Sequence, residues 1–372
     1  MTASPRRQPA FSAVLAQRLS RREFLDAAGR TASIAGFGGG LALGRSATAA
    51  QDPSATAPSP LPRLAPSRRD ALELAPGHRY DLVARWGDAL WRGDPGLDAA
   101  TLRRGGLVEA GQAQAPARPF GPHCDAIAHF PLDGARSRRG LLCVNHEYVD
   151  AELAFAGLDR SVQERARKRQ AWIETHPLAV AWMQAAHGVT VMEIERPRGG
   201  RWRRVVGSRW TRRITANTPC EIRGPARGAE LLRTAADPTG TVSLGTFANC
   251  AGGKTPWGSY LTAEENVDDY FGGLRSWIQQ TDDFATVDAH ARFPMFENSP
   301  YGWEHADPRF DVRREPREAL RCGWIVEIDP RDPGAPPRKR TALGRFSHEG
   351  ANTVLAGDGR ADARVEQLLD RL

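Results

Sequence analysis

Asn249-Cys250-Ala251-Gly252-Gly253-Lys254-Thr255-Pro256-Trp257-Gly258-Ser259-Tyr260-Leu261-Thr262-Ala263-Glu264-Glu265-Asn266 is the stretch on which the reading of this 372-residue chain turns. One thiol, Cys250, stands in a segment rich in Gly and Pro that reads as a turn, and two adjacent carboxylates, Glu264 and Glu265, close a short apolar run. A soft sulfur near hard oxygen donors is the ligand set of a transition-metal site with a hard cation beside it. The competing reading is a loop, a strand and a solvated Glu-Glu pair, and spacing alone does not separate the two. Successive strand residues face opposite sides, so on a strand one of the two glutamates reaches a metal; at a strand end both can. Gly252 and Gly253 allow close backbone approach and positive φ, and Pro256-Trp257 stiffens the turn that aims the sulfur.

Working outward, the extended signals are short: residues 140–144, 189–194, 202–206 and 324–328, separated by Gly, Pro and Asp. Many short strands favour a propeller, sandwich or barrel over a parallel α/β sheet. No strict repeat is visible, so periodicity leaves these three open. One helical pattern runs from about residue 161 to 186; its Arg165-Ala166-Arg167-Lys168-Arg169 run reads as a solvated face, and Pro177 breaks or kinks it. Asn145-His146-Glu147 follows the apolar run 141–144, and His348-Glu349 precedes the small pair Gly350-Ala351, so both place donors at strand ends. Arg212-Arg213 and Arg345 offer guanidinium forks that match phosphate oxygens. Glu327 and Asp329 alternate on a strand that stops at Pro330, which leaves Asp329 solvated at its end. There is no G-x-S-x-G elbow, no P-loop and no HExxH motif.

The net charge of +7 is concentrated at the N-terminus, where residues 1–50 hold seven Arg against two acids. Ser20-Arg21-Arg22-Glu23-Phe24-Leu25, a weakly apolar Gly-rich stretch from Ile34 and Ala47-Thr48-Ala49-Ala50 form a twin-arginine export pattern. Arg45 between core and small residues leaves the cleavage position open. The apolar run is too short for a membrane anchor. The rest is near neutral, which argues against a nucleic-acid footprint. Residues 1–50 are read as the signal peptide, 51–75, rich in Pro, Ala and Ser, as a flexible linker, and 76–372 as the folded domain. The five cysteines, 124, 143, 220, 250 and 322, leave at least one thiol unpaired; Cys143 and Cys322 read as buried small hydrophobes, Cys250 as the functional thiol, and one disulfide among the others stays open.

These motifs together resemble the PhoX-type alkaline phosphatases. The opening stretch is similar to that family's signature, Asn-Cys-Ala-Gly-Gly-x-Thr-Pro-Trp-Gly-x-x-Leu-Thr-x-Glu-Glu-Asn. Collinear likeness runs through Arg79-Tyr80, Arg85-Trp86-Gly87-Asp88, Asn145-His146-Glu147-Tyr148, Arg212-Arg213-Ile214 with Asn217-Thr218-Pro219, residues 324–330 and residues 344–351. The resemblance implies an all-β dominated fold, a six-bladed β-propeller with inserted helices and metals at its central funnel. It implies Fe(3+) and Ca(2+) as cofactors and a phosphorylated small molecule as substrate, hydrolysed as a phosphate monoester. Cys250 takes the place of the iron-bound cysteine; Glu264, Glu265, Glu349 and Glu147 are the expected carboxylate ligands, His348 a ligand or a donor behind one, and Arg345 and Arg213 the substrate-gripping residues. Export by the twin-arginine translocase to the periplasm or the medium completes the expectation. Two departures stand out: Ala263 replaces a frequent Cys, and the Gly-Asp-Asp strand and further blades that follow in the family are missing after residue 356. The expected propeller is therefore partial, and the alternative reading is an inactive remnant that at most binds metal or a partner.

Overall fold

The computed structural model describes residues 64–69, 71–97, 118–134, 137–155, 158, 165–293, 295–358 and 361–367. The signal segment and most of the linker lie outside them. Residues 79–372 form one compact unit. Its first sheet contains β1 (Cys124–Pro131), β2 (Arg139–His146), β3 (Gly188–Glu195), β4 (Arg203–Arg204) and β5 (Arg212–Ile214). β1, β2 and β3 pair antiparallel in that order, and β4 and β5 both pair with β3, so the expected strand at 202–206 shrinks to two residues. β2 and β3 are covered on both faces, which is why Leu141-Leu142-Cys143-Val144 and Val189-Thr190-Val191-Met192 read as near-continuous apolar runs without alternation.

Between β2 and β3 the chain inserts α1 (Ala151–Ala154), α2 (Arg165–Thr175) and α3 (Leu178–Ala186). The helical pattern breaks at Pro177, which lacks the amide hydrogen that a continuing helix would use. The second sheet holds β6 (Pro219–Arg223), β7 (Val242–Leu244), β8 (Asn249–Lys254), β9 (Tyr260–Glu264), β10 (Ile325–Ile328) and β11 (Arg338–Arg340), in the order β7-β6-β11-β10-β9-β8. Only the β11–β6 pair is parallel. α4 (Leu274–Ile278) and α5 (Phe284–His290) enter between β9 and β10. A hairpin of β12 (His348–Leu355) and β13 (Ala361–Gln367) follows.

There is more strand than helix, with the helices as insertions. A six-bladed ring is not formed among the described residues, whose strands group into sheets of five, six and two. Part of the reason is local: the parallel pairing of β11 with β6 fuses the β6–β7 hairpin onto the antiparallel run β8–β11, making a sheet wider than a four-stranded blade. Phe130, Leu141, Cys143 and Val191 of the first sheet pack with Tyr260, Val326 and Ile328 of the second, and this shared core sets the two sheets against each other. A larger cluster gathers α3 with Phe247, Tyr270, Phe271, Trp303 and Phe310. Each such side chain stabilises the fold by roughly 1.5–3 kcal/mol through burial. Cys143, Cys220 and Cys322 are buried, and all five cysteines are free thiols, which closes the disulfide question.

Candidate metal centre

The Asn249–Lys254 segment is a strand, not the turn its glycines suggest; the turn comes after it, at residues 256–258. Gly252 and Gly253 are not among the glycines with positive φ. Their use is close approach. A Cβ on Gly253 would come 2.1 Å from the Ala351 carbonyl oxygen of β12, and one on Gly252 2.3 Å from that of Leu261. The first of these contacts lets β12 lie against β8.

The sulfur is aimed by a bulge. Pairing of β8 with β9 runs from Asn249↔Glu264 to Gly252↔Thr262, one residue longer on the β8 side, and Cys250 is the first residue of that bulge. The β1–β2 hairpin repeats the pattern: Cys124↔His146, then Ile127↔Val144, with Asp125 first in the bulge. β12 and β13 do so again, His348↔Gln367 then Gly350↔Glu366, with Glu349 as the extra residue. Bulges re-aim side chains out of the regular pleat. Here three of them present Asp125, Cys250 and Glu349. In the first two hairpins the partner strand adds a carboxylate just past its end, Glu147 and Glu265. The Glu147 amide donates to the His123 carbonyl at 3.1 Å and that of Glu265 to the Ala248 carbonyl at 2.9 Å. His123 and Ala248 are the two non-glycine residues with positive φ among the described residues, +40° and +52°. Such backbone costs on the order of 1–3 kcal/mol, and persists where the surroundings hold it.

The result is a compact acidic cluster. Ligand atoms of Glu147, Cys250 and Glu265 lie within 4.8 Å of one another, and Cys250 Sγ is 4.0 Å from Asp125 Oδ2. Burial pushes the Cys250 thiol up, and Glu265, Asp125 and Glu147 push it further. Burial, then Asp125 and Glu265, raises Glu147 to about 7. Burial also raises Glu265, with Glu349 and Asp125 adding to it, against hydrogen bonds from Cys250 and Asn266. Every influence on Glu147 works against its charge, and a bound cation would reverse that balance. The donors fit the expected ions: a thiolate with carboxylates suits iron(III), and carboxylates alone suit calcium.

Glu264, the neighbour of Glu265, is turned away from this cluster by strand alternation. Its fully buried carboxylate sits 2.9 Å from Lys339 Nζ and accepts from the amides of Gly323 and Trp324. His348 is buried; its Nε2 is 3.0 Å from the Gly344 carbonyl, and Nδ1 has no partner among the described residues. Burial lowers that imidazole to about 4 and leaves it neutral at pH 7. Glu349 is half-buried and close enough to bear on Glu265. The two arginines expected to grip phosphate are occupied. Arg213 donates to the carbonyls of Ala185, Ala186 and His187 and to Thr190 Oγ1. Arg345 donates to those of Cys322 and Ala319 and stacks on Phe293. Neither presents a free fork, because each closes off backbone groups that no strand pairs. Glu327 binds Trp257, Ser259 and Arg340, and is structural.

Asp125 is the site residue that sequence reasoning missed. It lies in no recognised motif, and its only signal is its register across from the Asn145-His146-Glu147 strand end. The three bulged segments, residues 123–126, 248–251 and 347–350, are too different in sequence to betray a repeat.

Comparison with known proteins adds to this geometry. The chain matches the model of the family described as alkaline phosphatase PhoX over residues 60–363. Among solved structures it is similar to Pseudomonas fluorescens PhoX in complex with vanadate, a transition state analogue, with 38% sequence identity and a TM-score of 0.67. That match covers 79% of this chain and 46% of the solved one, so the chain spans a little under half of its relative's length. No curated protein matches.

Proposed function

The chain belongs to the PhoX alkaline phosphatase family, and from that premise we propose that it is a metal-dependent phosphomonoesterase acting at the cluster of Asp125, Glu147, Cys250, Glu265 and Glu349. The observation that carries the proposal is the convergence of one sulfur and two carboxylates within 4.8 Å, from hairpins about 100 residues apart in sequence. Cys250 and Glu265 would hold Fe(3+), and the oxygen side formed by Asp125, Glu147 and Glu349 would hold Ca(2+). Such ions, when bound, take a phosphate oxygen, neutralise its charge and activate an oxygen nucleophile.

The chain's own part is to hold the donors ready. To hold metals, Cys250 and Glu147 would have to be deprotonated, so loading would be favoured by rising pH. Tyr270 and Tyr301, stacked at 4.3 Å, lie near enough to Glu147 for its charge to act on both. The vanadate bound by the solved relative supports a phosphoryl substrate. The antiparallel runs β1–β2–β3 with β4 and β5, and β8–β9–β10–β11, are read as propeller blades with β12–β13 opening a third; β8 lies between β1 and β12, as first strands around a funnel would. The twin-arginine pattern in residues 1–50 supports export to the periplasm or beyond, followed by the 51–75 linker and the 76–372 domain. No helix among the described residues is long and apolar enough to cross a membrane.

The test is metal analysis and aryl-phosphate hydrolysis by the full chain and by Cys250→Ala. The expected result is bound iron and calcium with hydrolysis in the parent chain, and loss of iron with a fall in kcat/KM of about 100-fold or more in the variant. Hydrolysis unaffected by metal stripping or by Cys250→Ala would sink the proposal. Metal binding without any hydrolysis would leave an inactive metal-binding protein.

A further inference from the structure

Asn145 is fully buried near the end of β2, two positions before Glu147. Its Nδ2 donates to the carbonyl of Cys250 on β8, and its Oδ1 accepts from the Tyr260 hydroxyl of β9 at 2.8 Å. The partners set the amide's orientation, because a carbonyl only accepts and so must face the NH2 group. A side chain of the first sheet is thus satisfied at both ends by the second.

The place where it does so matters. The β8–β9 register jumps from Asn249 to Gly252, so Cys250 has no ladder partner. Asn145 supplies the donor for its carbonyl. Tyr260 also reaches the first hairpin's bulge, with its hydroxyl 3.3 Å from the Ala126 carbonyl. Glycine at 252 helps to admit this tyrosine, since a Cβ there would stand 3.1 Å from the hydroxyl. One buried pair therefore bridges the two bulges that present Asp125 and Cys250. The residue of β9 in the place of Asn145 is Ala263, so the strap has no symmetric copy.

We infer that Asn145, backed by Tyr260, is a positioning residue of the centre, which sets where the Cys250 sulfur stands relative to Glu147 and Asp125. The inference rests on reading that cluster as a metal site. Groups that orient a ligand without touching the metal typically change affinity 10–100-fold when removed.

Full-length Asn145→Ala, Asn145→Asp, Tyr260→Phe and Cys250→Ala are titrated with Co(2+) and followed by the thiolate-to-cobalt charge-transfer absorption. The parent protein should show the band and Cys250→Ala should lack it. Asn145→Ala should bind Co(2+) about tenfold more weakly or worse, with the band displaced. Asn145→Asp, of the same shape but without the donor, should not rescue it; Tyr260→Phe, which keeps the donor, should move the same way by less. Alkylation of Cys250 in the metal-free proteins, read by peptide mass, is the second arm. Asn145→Ala should change its rate several-fold while Cys143, Cys220 and Cys322 stay protected, which reports an intact fold. If Asn145→Ala does not fold, Tyr260→Phe carries the same comparison. Unchanged affinity, band and alkylation overturn the positioning role while leaving the metal centre standing. A parent protein that takes no Co(2+) overturns the metal centre, and the alkylation arm alone then decides the positioning role.

Discussion

At the scale of single residues, the cluster is a site whose charges oppose one another. Glu147 shows the consequence. Its carboxyl is raised to about 7, while the unfolded chain carries it near 4.5. Between those values the folded, metal-free protein holds a proton that the unfolded chain has lost. Stability therefore falls as pH rises through that window, the reverse of an ion-paired carboxylate. We expect metal-free protein to melt at a lower temperature at pH 7.5 than at pH 5, with a shallower difference in Glu147→Gln; equal slopes in the two proteins would show that Glu147 is not the source. Glu264, one position from the cluster, is the contrasting case: fully buried, it is stabilised by Lys339 and two amides. The adjacent glutamates look alike in the sequence. Strand parity makes one a structural anchor and leaves the other for the site.

At the scale of elements, the unit is a bulged hairpin used three times, and its spacing from its neighbours is as important as its bulge. Gly253 sits where β8 and β12 touch, and a methyl group there would meet the Ala351 carbonyl at 2.1 Å, far inside contact distance. Backbone cannot rotate away as a side chain can, so the strands must separate. We expect Gly253→Ala to lose about 1–3 kcal/mol in urea unfolding and to weaken metal binding by moving Glu349. Gly357→Ala, at an open position, should stay within about 0.5 kcal/mol of the parent. Matching midpoints for the two variants would mean that the close approach carries no weight. The paired glycines were legible as a sign of close packing. That they belong to a strand was not, because Gly-Gly reads as a turn unless the neighbouring strand that demands it is known.

At the scale of the whole molecule, the cluster draws together segments that are distant in the chain. Asp125 and Glu147 come from the first sheet, Cys250 and Glu265 from the second and Glu349 from the last hairpin. An ion bound only by the folded state stabilises it by about 2.7 kcal/mol at 100 times its Kd. Chelation should accordingly lower Tm by several degrees, readdition of Fe(3+) and Ca(2+) should restore it, and Cys250→Ala should respond weakly to both. A parent Tm indifferent to chelator would argue against a shared centre. Much was determined by the sequence alone: the family, a strand-rich fold with inserted helices, the break at Pro177 and the burial of Cys143 and Cys322. Those follow from local chemistry and from motifs that keep their order. The tertiary structure alone decided that Asp125 joins the site, that Glu264, Arg213 and Arg345 are occupied elsewhere, and that Asn145 straps two hairpins together. These depend on bulges, register and the contact between sheets, which bring together residues that no short window of sequence contains.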